Sequence, residues 1–367
     1  MLDSSAAFDT VDQSLLLHKL KNHFNINEGA LKMIKSYFSN RKFSVKINKT
    51  LSSPRNLTHG VPQGSLLGPL FYILYTKEVE TITSHHGLTI QCYADDCQLY
   101  ISFYLSEIYS VEEKISTCLH EIKKWMNQNF LKLNSNKTQI KILKNKSVTI
   151  PSFRLLTEVS VESVKVLGVL FDENLKFTDF ISKKVKACNF QLRNLYNIRE
   201  SLNTSTRIMM VSCLLLSTID FCNVLLVGAT DKELRPIKLI INRAIRFIFS
   251  LTPRTHITPF YKKVHFLPIR LRIKFKACLI AHKIFYGEAP EYFNNDSKKY
   301  VPTTNKNLRE GCGRDKFMFL VITEDMSSKR LSILIKREWN ILPLSLRTCD
   351  KRDLFKSRLK AHFFSQF

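Results

Sequence analysis

Two carboxylates stand side by side in the run QCYADDCQLYI (residues 91–101): Asp95 and Asp96. Strand-forming residues flank them, Ile90 and Tyr93 before, Leu99, Tyr100 and Ile101 after. Like charges this close repel by ~1 kcal/mol in water and several-fold more in a drier site. On a straight strand neighbouring side chains face opposite sides, but at a hairpin tip both can reach one volume. A divalent cation there turns repulsion into ligation, because Mg²⁺ takes carboxylate oxygens. A third carboxylate would complete a site for two metals about 3.5–4 Å apart, suited to in-line displacement at phosphorus. Asp3, in LDSSAAFD, is the candidate. The plainer readings are a solvated turn for the pair and a surface position for Asp3.

The elements that must position these acids can be read from periodicity. Thr89–Ser102 has the pattern of a hairpin with the acids at its tip. Ser14–Phe24 has helical spacing, with Asp12 placed to cap it, and a second helix fits Gly29–Phe38. Phe43–Ile47 alternates as a strand, Asn48–Lys49 can turn, and Leu51–Thr58 can return. The loop HGVPQGS follows, then a helix from about Leu66 to Thr81, with Pro69 tolerated in its first turn. Val111, Ile115, Cys118, Leu119, Ile122 and Met126 mark one face of a long helix. Leu131–Leu133 and Thr138–Leu143 bracket the tight segment NSNK, and Val164–Phe171 is a further strand. All these strands are expected on a single sheet. Beyond residue 180 the pattern is almost wholly helical, which sets a boundary near Phe177–Phe180. Pro290–Leu308 reads as a loop or linker before a last helical segment.

The chain has 367 residues, enough for two or three domains, and a net charge of +25. That surplus favours a polyanionic partner. From Leu234 to Gly287 there are twelve Lys and Arg and no acid. Helical segments Ile237–Phe249 and Leu271–Tyr286 keep apolar stripes beside these charges. Arg243, Arg246, Arg270, Arg272, Lys274 and Lys276 are therefore candidates for a basic face along a phosphate backbone. An ordinary solvated face is the alternative. Nine cysteines occur without a CxxC or other metal-ligand spacing. They read as reduced, buried thiols of an intracellular protein, nuclear and/or cytoplasmic and not secreted. The amino terminus has no signal-peptide pattern. The most apolar run, Ile208–Ile219, is broken by Ser212 and Ser217 and is too short to span a bilayer. Nucleic acid, not membrane, is the expected partner.

The order of motifs adds to this reading. LDSSAAFDTVDQ, HGVPQGSLLGPL, CYADDCQLYI, LKLNSNKTQIKIL and VKVLGVLFDENLKF follow one another in a way that resembles the reverse transcriptase of LINE-type (non-LTR) retrotransposons. The resemblance runs along nearly the whole chain. The late segments HFLPIRLRIKFKACLIAHKIFYGEAPEYF and REWNILPLSLRTCDKRDLFKSRLKAHFF look like the carboxy-terminal part of vertebrate elements of this type, and fit group II intron-type or telomerase-type enzymes less well.

The resemblance implies an α+β right-hand polymerase palm, with the fingers missing, followed by a helical thumb and a helical carboxy-terminal extension. The implied divisions are 1–178 for the palm with its primer-grip hairpin, 179–290 for the basic thumb and 291–367 for the extension. The implied activity is RNA-directed DNA polymerisation, a nucleotidyl transfer using an RNA template, a DNA primer, dNTPs and two Mg²⁺ (or Mn²⁺) ions. Asp3 and Asp95 match the metal-binding acids, with Ser4 adding its carbonyl, and Asp96 matches the second acid of the turn. Phe8 matches the aromatic gate that would collide with a ribose 2′-hydroxyl; its alternative is a plain core residue. Pro62, Gln63 and Gly64 match the loop against the incoming nucleotide and template base. Lys137 matches a general acid for pyrophosphate, or else is a surface lysine. Gly168 matches the primer-grip hairpin. The absent fingers suggest a truncated copy, and the rival from another class is a catalytically inactive nucleic-acid-binding relic. Oligomeric state is not legible.

Overall fold

The computed structural model describes residues 1–2, 4–5, 7–134, 137–143, 161, 163–294, 297–299, 317–319 and 331–367. The chain divides into two units, Met1–Leu167 and Gly168–Phe367. The division falls in the turn of a hairpin and ahead of Phe177–Phe180, because Val169, Phe177 and Phe180 belong to the core of the second unit.

The first unit begins with strand β1 (Ser4–Ser5) and helix α1 (Gln13–Asn22). Asp12 caps α1 by accepting from the Leu15 amide at 2.6 Å, which satisfies one orphan donor of the first turn. Helix α2 (Glu28–Phe38) buries Ile34 and Phe38 and carries Glu28 at its positive end. The following arm is not one continuous hairpin. β2 (Lys42–Phe43) pairs with β5 (Arg55–Asn56), and β3 (Lys46–Ile47) with β4 (Thr50–Leu51). Between them the Ser52 hydroxyl accepts from the Val45 amide at 2.9 Å, and Pro54 has no N–H to give to a ladder.

The helix expected over Leu66–Thr81 is two, α3 (Gly68–Thr76) and α4 (Glu78–His85). They part at Lys77, whose carbonyl takes the Glu80 amide in a tighter i→i+3 bond. Pro69 does sit in the first turn of α3. The hairpin β6 (Thr89–Tyr93) and β7 (Asp96–Tyr100) follows. Helix α5 (Ile108–Gln128) buries Val111, Cys118, Ile122 and Met126 of the expected face, with Ile115 and Leu119 packed beside them. β8 (Lys132–Leu133) pairs with β1.

The expected single sheet is not formed among the described residues; every strand lies in a two-stranded pairing. The β2–β5 arm is exposed at all its strand positions and has no buried face to add to a sheet. Only an isolated bridge from Leu2 to Cys97 brings the β1/β8 pair to the edge of the β6/β7 hairpin.

Beneath the strands lies an apolar core that includes Val11, Leu16, Leu20, Phe71, Tyr75 and Ile122. A polar cluster is set into it. Lys19 is 4% exposed and donates to Glu78 at 3.1 Å and to the Tyr75 carbonyl at 3.2 Å, while Trp125 donates to the same Glu78 carboxylate at 2.6 Å. Burial alone would raise the Glu78 carboxyl, but the bonds from Trp125 and Lys19 outweigh it and hold the group below its usual range.

Val164–Phe171, a strand by its pattern and a hairpin around Gly168 by the resemblance, is a hairpin of β9 (Ser163–Val166) and β10 (Val169–Asp172). Leu167 and Gly168 turn it with φ of +46° and +86°, the backbone of a type I′ turn.

The second unit is helical as expected. Its longest helices are Thr178–Asn197, Asp231–Phe249, Ile269–Phe285 and Arg352–Ser365. Thr230 and Glu233 close a capping box at the start of Asp231–Phe249. The apolar run Ile208–Ile219 contains a π-helical stretch, Val211–Leu216, and no described helix is long and apolar enough to cross a membrane. Two apolar clusters fill this unit, one around Ile241, Ile245 and Ile248, the other around Trp339, Phe355 and the buried His282.

Candidate active site

The hairpin forms where the sequence placed it, with Asp95 in its loop and Asp96 opening β7. Tyr93 pairs with Asp96, which leaves Ala94 and Asp95 as the two-residue loop of the hairpin. Ala94 has φ +54°, a position that favours glycine. Asp95 and Asp96 are both half-buried. Asp95 and Ala94 line a cavity of about 190 Å³ whose wall includes Tyr72 and Trp125 on its apolar side and Lys77 and Glu80 on its polar side. The charge of the pair reaches its neighbour Cys97. That thiol is pushed up first by its hydrogen bond to Cys92, then by burial and by the negative charges of Cys92, Asp95 and Asp96.

Asp3 lies outside the described residues, and of Ser4 only the backbone is described. The residues around them are fixed by backbone bonds. The Leu2 amide donates to the Cys97 carbonyl at 2.7 Å, and Ser4 pairs with Leu133. The Met1 amine donates to the Gln139 carbonyl at 2.7 Å, and the Gln139 amide returns to the Met1 carbonyl at 3.1 Å. Three stretches therefore converge: residues 1, 2 and 4, Cys97 beside the tip of the β6/β7 hairpin, and residues 133 and 139. Lys137 lies between the last two and is exposed. As a donor set Asp95 and Asp96 suit a hard divalent cation, being adjacent, half-open carboxylates. Among the described residues no group of three His, Cys, Asp or Glu could hold a metal ion.

The loop expected to face a nucleotide is stitched to the segment after β1. The Gly60 amide donates to the Val11 carbonyl at 2.7 Å and the Val61 amide to the Phe8 carbonyl at 2.8 Å. Gln13 donates its side-chain amide to the Gly60 carbonyl at 3.0 Å. Gln63 donates to the Asp9 carboxylate at 2.9 Å. Phe8, Pro62, Gln63 and Gly64 are thus brought together. Phe8 and Pro62 are half-buried; Gln63 and Gly64 are exposed. The Phe8 ring lies 4.9 Å from that of Tyr72 and packs at the margin of the core. Gly64 has φ +78° and open space where a side chain would begin. Asp9, Gln13 and Gly60 were not singled out from the sequence. The glycine opening GVPQG was the one visible signal, and its need is steric: a Cβ on Gly60 would stand 2.9 Å from the Asp9 carbonyl oxygen.

The residues expected on a basic face are placed differently from one another. Arg243 is exposed and donates to Asn189 at 2.5 Å, and Arg246 is half-buried. Arg270 binds the Ala229 carbonyl at 2.6 Å and Asp231 at 2.8 Å. Arg272 grips both carboxylate oxygens of Asp220, one of them at 2.6 Å. Lys274 lies 3.2 Å from Glu338. The acid-free interval is thus answered by acids from outside it, and these three cations are engaged within their own unit. Lys276 is half-buried and lines a cavity of about 540 Å³ together with His265, Lys356 and Lys360. Gly168 is exposed in its turn, and a Cβ there would touch the Phe221 ring at 3.4 Å.

Residues 1–171 match the family described as reverse transcriptase (RNA-dependent DNA polymerase). Among curated relatives, the probable RNA-directed DNA polymerase from transposon BS of Drosophila melanogaster is 28% identical over 268 residues, covering 67% of this chain and 28% of that protein. The probable RNA-directed DNA polymerase from transposon X-element of the same organism is 28% identical over 260 residues, with the same two shares. The RNA-directed DNA polymerase from mobile element jockey of Drosophila funebris is 28% identical over 188 residues, 49% of this chain and 20% of that protein. The chain spans well under a third of the length of these relatives. Over residues 1–171 the chain is thus similar to reverse transcriptases, and over up to two thirds of its length to the RNA-directed DNA polymerases of non-LTR retrotransposons such as jockey and X-element.

Proposed function

We propose that this chain acts as the palm and thumb of an RNA-directed DNA polymerase, extending a DNA primer on an RNA template with dNTPs. One observation carries the reading: backbone bonds join residues 1, 2 and 4 to Cys97, beside the Ala94–Asp95 hairpin tip, and to Leu133 and Gln139, which flank Lys137. Asp3, Asp95 and Asp96, with the carbonyl of Ser4, would hold two Mg²⁺ ions, or Mn²⁺ in their place. Such ions lower the pKa of an attacking hydroxyl and offset charge on the phosphates. Asp95 and Asp96 supply the oxygens that fix where that charge is met. Phe8, packed against Tyr72, would lie under the sugar of an incoming nucleotide and collide with a 2′-hydroxyl. Gln63, held by Asp9, steadies the template base without adding charge. Lys137 gives a proton to the departing pyrophosphate. In the 3′-end transfer itself, the primer hydroxyl bonds to the α-phosphorus as the bond to pyrophosphate breaks.

The second unit serves as thumb and carboxy-terminal extension, with Gly168 in the hairpin against the primer. Phosphate contacts fall to cations that face solvent in the acid-free stretch, Arg235, Lys238, Arg243, Arg254, Lys262 and Lys263 among them. The test is primer extension on a primed RNA by the purified chain with Mg²⁺, beside Asp95→Ala. Extension by the parent chain and none by the variant supports the reading. No extension by either, with salt-sensitive RNA binding kept, replaces it with that of an inactive nucleic-acid-binding relic.

A further inference from the structure

The hairpin that presents Asp95 and Asp96 also carries two cysteines for which the chemistry above has no use. Cys92 and Cys97 are directly opposite in the β6/β7 register. The Cys97 amide and carbonyl are both bonded to Leu2, at 3.4 and 2.7 Å, and so point away from Cys92. Theirs is a non-hydrogen-bonded pair, the kind in which facing Cα atoms approach to about 4.5 Å. That separation lies inside the range a disulfide spans, about 4.4–6.8 Å. The two sulfurs are 3.0 Å apart.

The two thiols are unequal. Cys92 is exposed and Cys97 half-buried. Elsewhere, Cys118 and Cys188 are buried, and burial pushes each up to about 11. The pair thus combines an accessible sulfur with a partner in reach, whereas the buried thiols lack access.

We propose that Cys92 and Cys97 are a redox-responsive dithiol, closed to a cross-strand disulfide by hydrogen peroxide. The Cys92 thiolate attacks one peroxide oxygen; the O–O bond breaks, and hydroxide leaves and is protonated to water. Cys92 is then a sulfenic acid. The Cys97 sulfur attacks the Cys92 sulfur, the S–S bond forms, the S–O bond breaks, and the departing hydroxide leaves as water with the Cys97 proton. Two thiols lose two electrons in total, and one peroxide becomes two waters. A reducing dithiol reverses the step by exchange.

Both cysteines fall on one tryptic peptide, Glu78–Lys114. The full chain is exposed to hydrogen peroxide under native conditions, alkylated and digested. The expected peptide is two hydrogens lighter, takes no alkylating agent, and regains both sites after dithiothreitol. Cys97→Ser should instead accumulate a sulfenic acid on Cys92 that dimedone traps. Wild-type protein giving sulfinic acid on Cys92, or two alkylated thiols after peroxide, would overturn the proposal. The readout is chemical and needs no polymerase activity, so it stands or falls apart from the function proposed above.

Discussion

The Gln63 side-chain amide donates to the Asp9 carboxylate across 2.9 Å, joining residues 54 positions apart in the chain. Gln63 is exposed, and without this bond its rotamers are open to exchange. In the function proposed above, Asp9 is therefore a positioning residue for the loop that would meet the nucleotide. Asp9→Ala should raise the KM for dNTP about tenfold, a loss of ~1.4 kcal/mol, while the melting temperature holds. Asp9→Asn keeps an accepting oxygen and should stay close to the parent. Equal losses for the two variants would mean that the carboxylate charge, not the bond, matters.

Gly60 supports the same contact from below. Its φ is +82°, and a Cβ would meet the Asp9 carbonyl oxygen at 2.9 Å. Gly60→Ala should cost roughly 1–2 kcal/mol for the left-handed backbone, and more for the collision. Urea unfolding gives the figure. The double variant with Asp9→Ala should lose less activity than the two single losses combined, because the glycine acts partly through Asp9.

Arg272 and the exposed lysines should separate by phenotype. Arg272→Ala leaves Asp220 half-buried with Asn223 as its remaining side-chain hydrogen-bond partner among the described residues, and should cost about 2 kcal/mol of stability. Lys262→Ala and Lys263→Ala should leave stability within ~0.5 kcal/mol. Each should lower the salt dependence of RNA binding by about one unit of slope. If Arg272→Ala weakens binding at unchanged stability, the arginine faces phosphate and not Asp220.

What was legible in the sequence follows the range of the physics involved. The face of α5 and the Asp95–Asp96 hairpin are local patterns, set by periods of 3.6 and 2, and both stand as expected. The β9/β10 hairpin is not visible in the pattern of VKVLGVLF, where Lys165 is the one polar side chain and the run reads as a single strand; the resemblance, through Gly168, pointed to the hairpin that turns at Leu167 and Gly168. The acid-free interval was read correctly as composition and incompletely as electrostatics. Asp220 lies 52 positions from Arg272 and Asp231 lies 39 from Arg270, so a local charge count could not see them. Asp9 escaped for the same reason, since its partner is distant in sequence and its own neighbourhood is ordinary.

The loop at the acidic pair carries strain that can be removed. Ala94 adopts φ +54° at the first loop position of the hairpin, where a Cβ costs roughly 1 kcal/mol relative to glycine. Ala94→Gly should therefore stabilise the first unit by up to ~1 kcal/mol, less the extra entropy of an unfolded glycine. Ala94→Val should destabilise it, because a branched side chain tolerates that backbone poorly. Thermal melts of the three proteins give the order Gly, Ala, Val; any other order would mean that the loop conformation is not held at this position.

Lys184 offers a test with a defined pH window. It is 5% exposed, and its ammonium donates to the Thr218 and Phe221 carbonyls at 2.5 and 2.6 Å. Burial lowers its pKa from 10.5 to about 8, against the opposing charges of Cys222, Cys188 and Asp220. Below about 8 the folded and unfolded chains both carry the proton, and the contribution of this group is flat. Between about 8 and 10.5 the unfolded chain binds a proton that the folded chain has released, so stability contributed by Lys184 rises with pH across that window. Lys184→Met removes the titration. The unfolding free energy of the parent relative to the variant should therefore climb by about 3 kcal/mol from the bottom of the window to the top. Tyrosines and distant thiols titrate in both proteins and cancel in the difference, which reports Lys184 together with its neighbours Cys188 and Cys222. A difference that stays level across the window would mean that the two carbonyls hold the ammonium charged in spite of its burial.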